Sequence, residues 1–198
     1  TSAIAGLDSD QVDSLIDELT TSQISVLTST QSEDLTADAL DHLDSAQVAA
    51  FTTTAITALD GDQLDVLVDD LTAAQVAVLS SQQIADLSDE AIAAFDSTDF
   101  LSLNTNALAG LLASHIDLLD SDAIAALSTT TIAGLSDEQI GDIDPDSVAG
   151  LTTSQLAVLS SAQVAGFDND QLANLDSAQV AAFTAAGVAG LEDEALDE

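Results

Sequence analysis

Ser160-Ser161-Ala162-Gln163-Val164-Ala165-Gly166-Phe167 is one copy of a unit that fills the chain. Thr20-Thr-Ser-Gln-Ile-Ser-Val-Leu27, Asp44-Ser-Ala-Gln-Val-Ala-Ala-Phe51 and Asp176-Ser-Ala-Gln-Val-Ala-Ala-Phe183 carry the same residue types at the same places. The consensus has Asp, Ser or Thr at position 1, Gln at 4, Ile, Val or Leu at 5, Ala at 6, and Leu or Phe at 8. The 198 residues divide into 20 full octads, two 12-residue units at 8–19 and 60–71, and a 7-residue piece at each end. Residues 1–198 therefore read as a single repeat array, and this periodicity outranks local propensity as a guide to the fold. Position 8 is always Leu, Ile or Phe, and position 5 is apolar everywhere except Ser32. Position 1 departs from Asp, Ser, Thr or Asn only at Leu112 and Glu192.

An octad excludes the two simplest elements. Along a continuous α-helix, eight residues rotate the apolar pair by roughly 80° per repeat, so no face stays apolar. In a strand, positions 5 and 8 point to opposite faces, and Ala and Gln are poor strand residues. Each octad instead reads as its own short helix. Position 1 is an N-cap, and Gln at position 4 is the N3 partner that reaches back to the cap N–H in a capping box. Positions 5 and 8 then share a helix face. The single proline agrees with this phase: Pro145 follows Asp144 and falls at N1, where proline is favoured.

The 12-residue units read as the same helix lengthened by a turn. Val12, Leu15, Ile16 and Leu19 make an i, i+3, i+4, i+7 stripe, as do Leu64, Leu67, Val68 and Leu71. Asp13, Asp17 and Glu18, like Asp65, Asp69 and Asp70, are then expected on the solvent face. The two units start 52 residues apart in similar surroundings, which points to an internal duplication.

One-turn helices are marginal alone, so stacking must supply the stability: an all-α solenoid in which positions 5 and 8 of successive units share one core. Ala5-Gly6, Ala133-Gly134 and Ala189-Gly190 are expected to let backbones approach. Asp120/Asp122, Asp144/Asp146 and Asp168/Asp170 recur every 24 residues, which points to three units per superhelical turn.

Composition narrows the function. There is no Lys or Arg against 36 Asp and Glu, a formal charge of −36. Nothing can neutralise phosphates, which excludes nucleic acid and anionic membrane surfaces. Self-association and divalent cations remain as partners. Despite the charge, 46% of residues are hydrophobic, enough for a core. There is no cysteine, hence no disulfide or thiolate metal site. No apolar stretch is long enough for a transmembrane helix, and no basic segment precedes an apolar run as in a signal peptide. Thr1 is not Met, so the chain reads as a processed product or part of something longer.

Leu71-Thr-Ala-Ala-Gln-Val-Ala-Val-Leu79 and Leu151-Thr-Thr-Ser-Gln-Leu-Ala-Val-Leu159 resemble the octapeptide repeat arrays of large secreted or surface adhesin-like bacterial proteins. The resemblance extends over essentially the whole chain. It implies secretion, an extracellular or cell-surface location and a structural role, and it brings no catalytic residues.

The search for chemistry finds no enzyme and no cofactor. His42, at position 7, and His115, at position 4, read as solvated surface side chains. Ser114-His115-x-Asp117 has triad residue types, but triads are assembled from separated elements. The pairs Asp8/Asp10, Asp60/Asp62, Asp120/Asp122, Asp144/Asp146 and Asp168/Asp170 read first as caps with a favourable carboxylate near the helix start. Their functional reading is weak Ca2+ binding between turns, although calcium needs six to eight oxygens. Thr52-Thr-Thr54 and Ser128-Thr-Thr-Thr131 read as caps and first-turn residues rather than an ice-binding face. Glu192–Glu198 reads as a polar end cap; Thr1–Leu7 does not, and is expected to dock on another copy or on preceding chain.

The expectation is therefore a filament or sheath subunit, or a spacer segment of a surface adhesin. The alternative is an acidic module that collects Ca2+ or templates mineral.

Overall fold

The computed structural model describes residues 4–188; Thr1–Ala3 and the Glu192–Glu198 piece lie outside the described residues, as does Ala189-Gly190. Among the described residues there are 21 short α-helices, four 3-10 helices and no strand. The fold is an all-α solenoid of short helices. The chain forms two compact units, one of residues 1–95 with 102–110, the other of residues 96–101 with 111–198. The same repeat builds both.

One octad illustrates the element. Asp120 is extended (ψ 173°) and its side chain accepts from Ala123 N–H, starting the helix Ser121–Ala126. Ile124 N–H bonds back to Asp120 O, and Leu127 N–H closes a tighter turn on Ile124 O. Leu127 is extended again (ψ 138°), and so is Ser128 (ψ 154°), which caps the next helix. Positions 8 and 1 together make the corner. Both use backbone angles open to any L-residue, so corners need no glycine, and no described residue has a positive φ.

Helices that pack against each other are three sides apart. In the first unit Ser29–Glu33 lies against Thr53–Ile56, and Thr21–Ile24 against Ser45–Val48. In the second, Asp137–Gly141 lies against Ser161–Ala165, which lies against Ala185–Val188. The corresponding caps, Ser136, Ser160 and Thr184, are 24 residues apart. Each unit is thus a three-sided coil with one octad per side, as the 24-residue recurrence implied.

Positions 5 and 8 fill the interior. Ile24, Ile56, Ile84, Ile116, Ile124 and Ile132, all at position 5, are fully buried. Ser32 at position 5 is buried as well, its hydroxyl donating to Thr28 O at 3.1 Å, so the one polar exception carries its own partner.

The 12-residue units differ from expectation. Residues 8–19 do not form one longer helix. An α-helix, Ser9–Asp13, ends at Ser14, the chain bends at Leu15, and a 3-10 helix, Ile16–Glu18, follows. Residues 60–71 repeat this with Gly61–Asp65 and Val68–Asp70. A straight helix would carry its apolar stripe past the corner into solvent. The bend returns Ile16 and Leu19 to the core shared by Val12. Each 12-residue unit therefore supplies two sides: Gly61–Asp65 packs on Ser81–Asp86, whose cap lies only 20 residues on.

Two smaller differences concern Pro145 and glycine. The Pro145 octad is loosened to a turn followed by the 3-10 helix Val148–Gly150, although Asp144 still accepts from Asp146 N–H at 2.8 Å. Gly6 and Gly134 have open space where a Cβ would sit, so they mark no close approach. The tight contacts fall at other position-7 glycines and at Gly61, where a Cβ would lie 2.5 Å from Asp86 O. A Cβ on Gly110, Gly150 or Gly166 would lie 2.0–2.3 Å from the carbonyl oxygen of Ser81, Ser121 or Asp137, each at position 2 one turn earlier.

Candidate functional site

The residue that organises both units is the position-4 glutamine. In Gln163, Oε1 accepts from the Ser160 N–H at 3.0 Å, the local half of the capping box. Its Nε2 donates to Ile132 O and Leu135 O, both at 2.8 Å, at the corner one turn earlier. Gln31 does the same with Ile4 O and Leu7 O, Gln75 with Val48 O and Phe51 O, Gln83 with Ile56 O and Leu59 O, and Gln155 with Ile124 O and Leu127 O. Gln171 and Gln179 extend the pattern. A carbonyl at a helix end has no partner inside its own helix, and burying it bare is costly. The amide supplies a donor to the position-8 carbonyl, adds a second bond to the position-5 carbonyl that already accepts from the position-8 N–H, and pins one turn to the next.

Sequence reasoning found the capping box and missed this ladder. The signal was present. The capping box accepts Glu or Gln alike, yet in a chain with 36 acidic residues position 4 is never Glu in a full octad. A carboxylate keeps the local acceptor and loses the donor that faces the carbonyls.

Where position 4 lacks Gln, other groups act. Asn104, at position 1, donates from Nδ2 to Ala77 O and Leu79 O, both at 3.0 Å. Asp13 Oδ1 accepts from the Thr36 N–H at 2.7 Å, and Asp65 Oδ1 accepts from the Ser88 N–H at 2.9 Å, in units where position 4 is Ala. Asp13 and Asp65 are therefore half-buried inter-turn links rather than solvent-face residues, freed for that task by the bend in their 12-residue units. Their matching roles extend the sequence duplication to the structure.

His115 also departs from expectation: it is 1% exposed, not solvated. It stands in the Gln position, and its Nδ1 accepts from the Leu112 N–H at 3.3 Å. Ser114 and Asp117 are exposed while His115 is buried, so the local triad types do not converge. His42 is exposed, with Nδ1 2.6 Å from Asp38 O. It lines a shallow open cleft of about 170 Å³ with Asp13, Ile16, Asp17, Asp38 and Ala39.

In each acidic pair the first member caps a helix or turn. Asp8 accepts from Gln11 N–H, Asp60 from Gln63, Asp120 from Ala123, Asp144 from Asp146 and Asp168 from Gln171, at 2.7–2.9 Å. The second members, Asp10, Asp62, Asp122, Asp146 and Asp170, are exposed. Among the described residues no three His, Cys, Asp or Glu side chains converge into a metal-holding group. Thr52 and Ser128 cap Ala55 and Thr131, and Thr131 is buried, while Thr53, Thr54, Thr129 and Thr130 are exposed first-turn residues. Asp96 has its carboxyl held below the ordinary 3.8 by the backbone N–H groups of Asp99 and Thr98. No described helix is long and apolar enough to cross a membrane.

The chain matches no protein-family model, and no curated protein is similar to it.

Proposed function

We propose that this chain is an extracellular structural repeat protein, either the subunit of a filament or sheath or a spacer segment of a large adhesin-like surface protein. One observation carries the reading: in both units the polar groups that recur at positions 1 and 4 of the repeat are spent on structure. Cap carboxylates hold helix starts, glutamine amides tie turns together, and His115 is buried in the place of a glutamine. What remains outside is a surface rich in carboxylates, with single apolar side chains such as Leu101 and Leu112 among them. Such a surface suits a wall or a spacer, which must stay soluble and keep a fixed repeat without a reaction centre. The alternative, an acidic surface that collects Ca2+ or mineral, draws on the exposed second members of the five Asp pairs.

Electron microscopy of the purified protein with and without millimolar calcium tests the reading. Ordered fibres or sheets are expected of a filament or sheath subunit. Isolated particles in both conditions leave the spacer role. Calorimetric titration with calcium tests the alternative, and an absence of heat at millimolar concentration removes it.

A further inference from the structure

We infer that the Asp144–Pro145 peptide bond is a self-cleaving site, at which the chain nicks itself in acid without the two pieces parting. Pro145 is the only proline, so this is the only bond in the chain that joins an aspartate to a tertiary amide nitrogen. Three backbone N–H groups are arranged around it. Asp144 Oδ1 accepts from the Asp146 N–H at 2.8 Å, so the carboxyl reaches across the bond. The Asp144 carbonyl oxygen accepts from the Ser147 N–H at 2.9 Å and the Val148 N–H at 3.1 Å. Two donors on a carbonyl oxygen stabilise the negative charge that develops there when its carbon is attacked. The octad is loosened to a turn and the 3-10 helix Val148–Gly150, and Asp144 and Pro145 are half-exposed, so water reaches the bond.

The step is an attack by a carboxyl oxygen of Asp144 on its own carbonyl carbon, which closes a five-membered ring. A C–O bond forms and the C–N bond breaks. The carboxyl proton passes to the Pro145 nitrogen, which leaves as a secondary amine. Water then opens the cyclic anhydride and restores the side-chain carboxyl beside a new chain end at Asp144. One water is consumed, and nothing is oxidised or reduced. The proton that the leaving nitrogen takes is the reason the reaction belongs to acid. The charged groups around the site are all carboxyls: Asp146 in the turn, Asp120 and Asp122 at the start of the helix Ser121–Ala126 packed against it, and Asp168 and Asp170 one turn on. There is no Lys to take the anhydride in place of water. The glutamine ladder spans the cut. Gln155 donates to Ile124 O and Leu127 O, Gln163 to Ile132 O and Leu135 O, and Gln171 to Ile140 O and Ile143 O, so the pieces stay stacked.

Intact mass spectrometry of the full chain tests this, after incubation at neutral pH and at the lowest pH at which circular dichroism still shows the helices. Acid is expected to yield residues 1–144 and 145–198, whose masses sum to that of the chain plus one water, and neutral pH to leave it whole. The Asp44–Ser45 bond is the internal control: its carbonyl oxygen also accepts two N–H groups, from Gln47 and Val48 at 2.9 and 3.0 Å, but its nitrogen is a secondary amide, and it should stay intact. Pro145→Ser and Asp144→Asn should each slow cleavage at least about tenfold. Both use residues that the array already carries at those positions, Ser121 after a cap and Asn104 as a cap. At the same pH the folded chain should cleave at least about tenfold faster than the chain in urea. Nicked protein returned to neutral pH should elute from gel filtration as one particle, and as two only in urea. A folded chain that stays whole in acid, or that cleaves no faster than in urea, would overturn the site. Pieces that part without urea would overturn the claim that the ladder holds them.

Discussion

Gln163→Glu separates the two functions of the ladder glutamine. The new carboxylate can still accept from Ser160 N–H, so the local capping box survives. Its second oxygen, however, replaces the Nε2 that donates to Ile132 O and Leu135 O at 2.8 Å. Leu135 O loses its donor, Ile132 O keeps the Leu135 N–H at 3.3 Å, and both gain a repelling acceptor. At roughly 1–3 kcal/mol for one buried carbonyl left unsatisfied, with a carboxylate now facing both, the cost is about 2–3 kcal/mol at neutral pH. Urea unfolding followed by far-UV circular dichroism measures it. Gln11→Glu is the control: Gln11 is exposed and its Oε1 serves only the Asp8 N–H, so about 0.5 kcal/mol or less is expected. The pH dependence has a defined sign. A buried carboxyl facing carbonyls has its folded pKa raised. The deficit relative to the wild type is therefore full above that raised value and shrinks as pH falls through it, when the protonated acid can donate to one carbonyl. A Gln163→Glu protein as stable as the wild type at neutral pH would refute the claim that amide donors bind turn to turn.

Gly150→Ala should lower stability by about 1–3 kcal/mol, because the new Cβ would lie 2.1 Å from Ser121 O, whereas Gly134→Ala, with nothing within 4 Å, should raise it by about 0.5–1 kcal/mol; thermal melts decide the sign of each. Asp13→Ala should destabilise the protein by about 1–2 kcal/mol, since Thr36 N–H loses its partner, and Asp65→Ala should match it through Ser88. Asp96 should titrate below 3.8 by carbon-detected NMR; with a depressed folded pKa, its contribution is complete above the unfolded value and disappears as pH falls through the folded one. The unfolding midpoint should rise from low salt to physiological salt because the charge of −36 is unbalanced, and a falling midpoint would contradict net self-repulsion.

What could be read in the sequence is what acts within one octad. Capping is a contact between positions 1 and 4, so Asp120, Ser160 or Asp176 announces its helix without knowledge of the rest of the chain. The apolar spacing of positions 5 and 8 places the core in the same way, and the phase fixed by Pro145 holds even where its helix is loosened. The 24-residue recurrence of the Asp pairs gave the number of sides, since a regular coil returns equivalent corners to equivalent places.

Tertiary structure decided what depends on the preceding turn. The second use of Gln163 was hidden because its carbonyl partners lie 28 and 31 residues away, at a distance set by the coil. The bends at Leu15 and Leu67 were hidden because an i, i+3, i+4, i+7 stripe fits a straight helix equally well; only the shared core makes the folded form bury Ile16 and Leu19 together. His115 looked like a surface side chain because its position faces a neighbour that the local sequence does not contain. The octad thus encodes its own helix through contacts a few residues apart, while the stacking of turns determines which polar groups are buried and with what they pair.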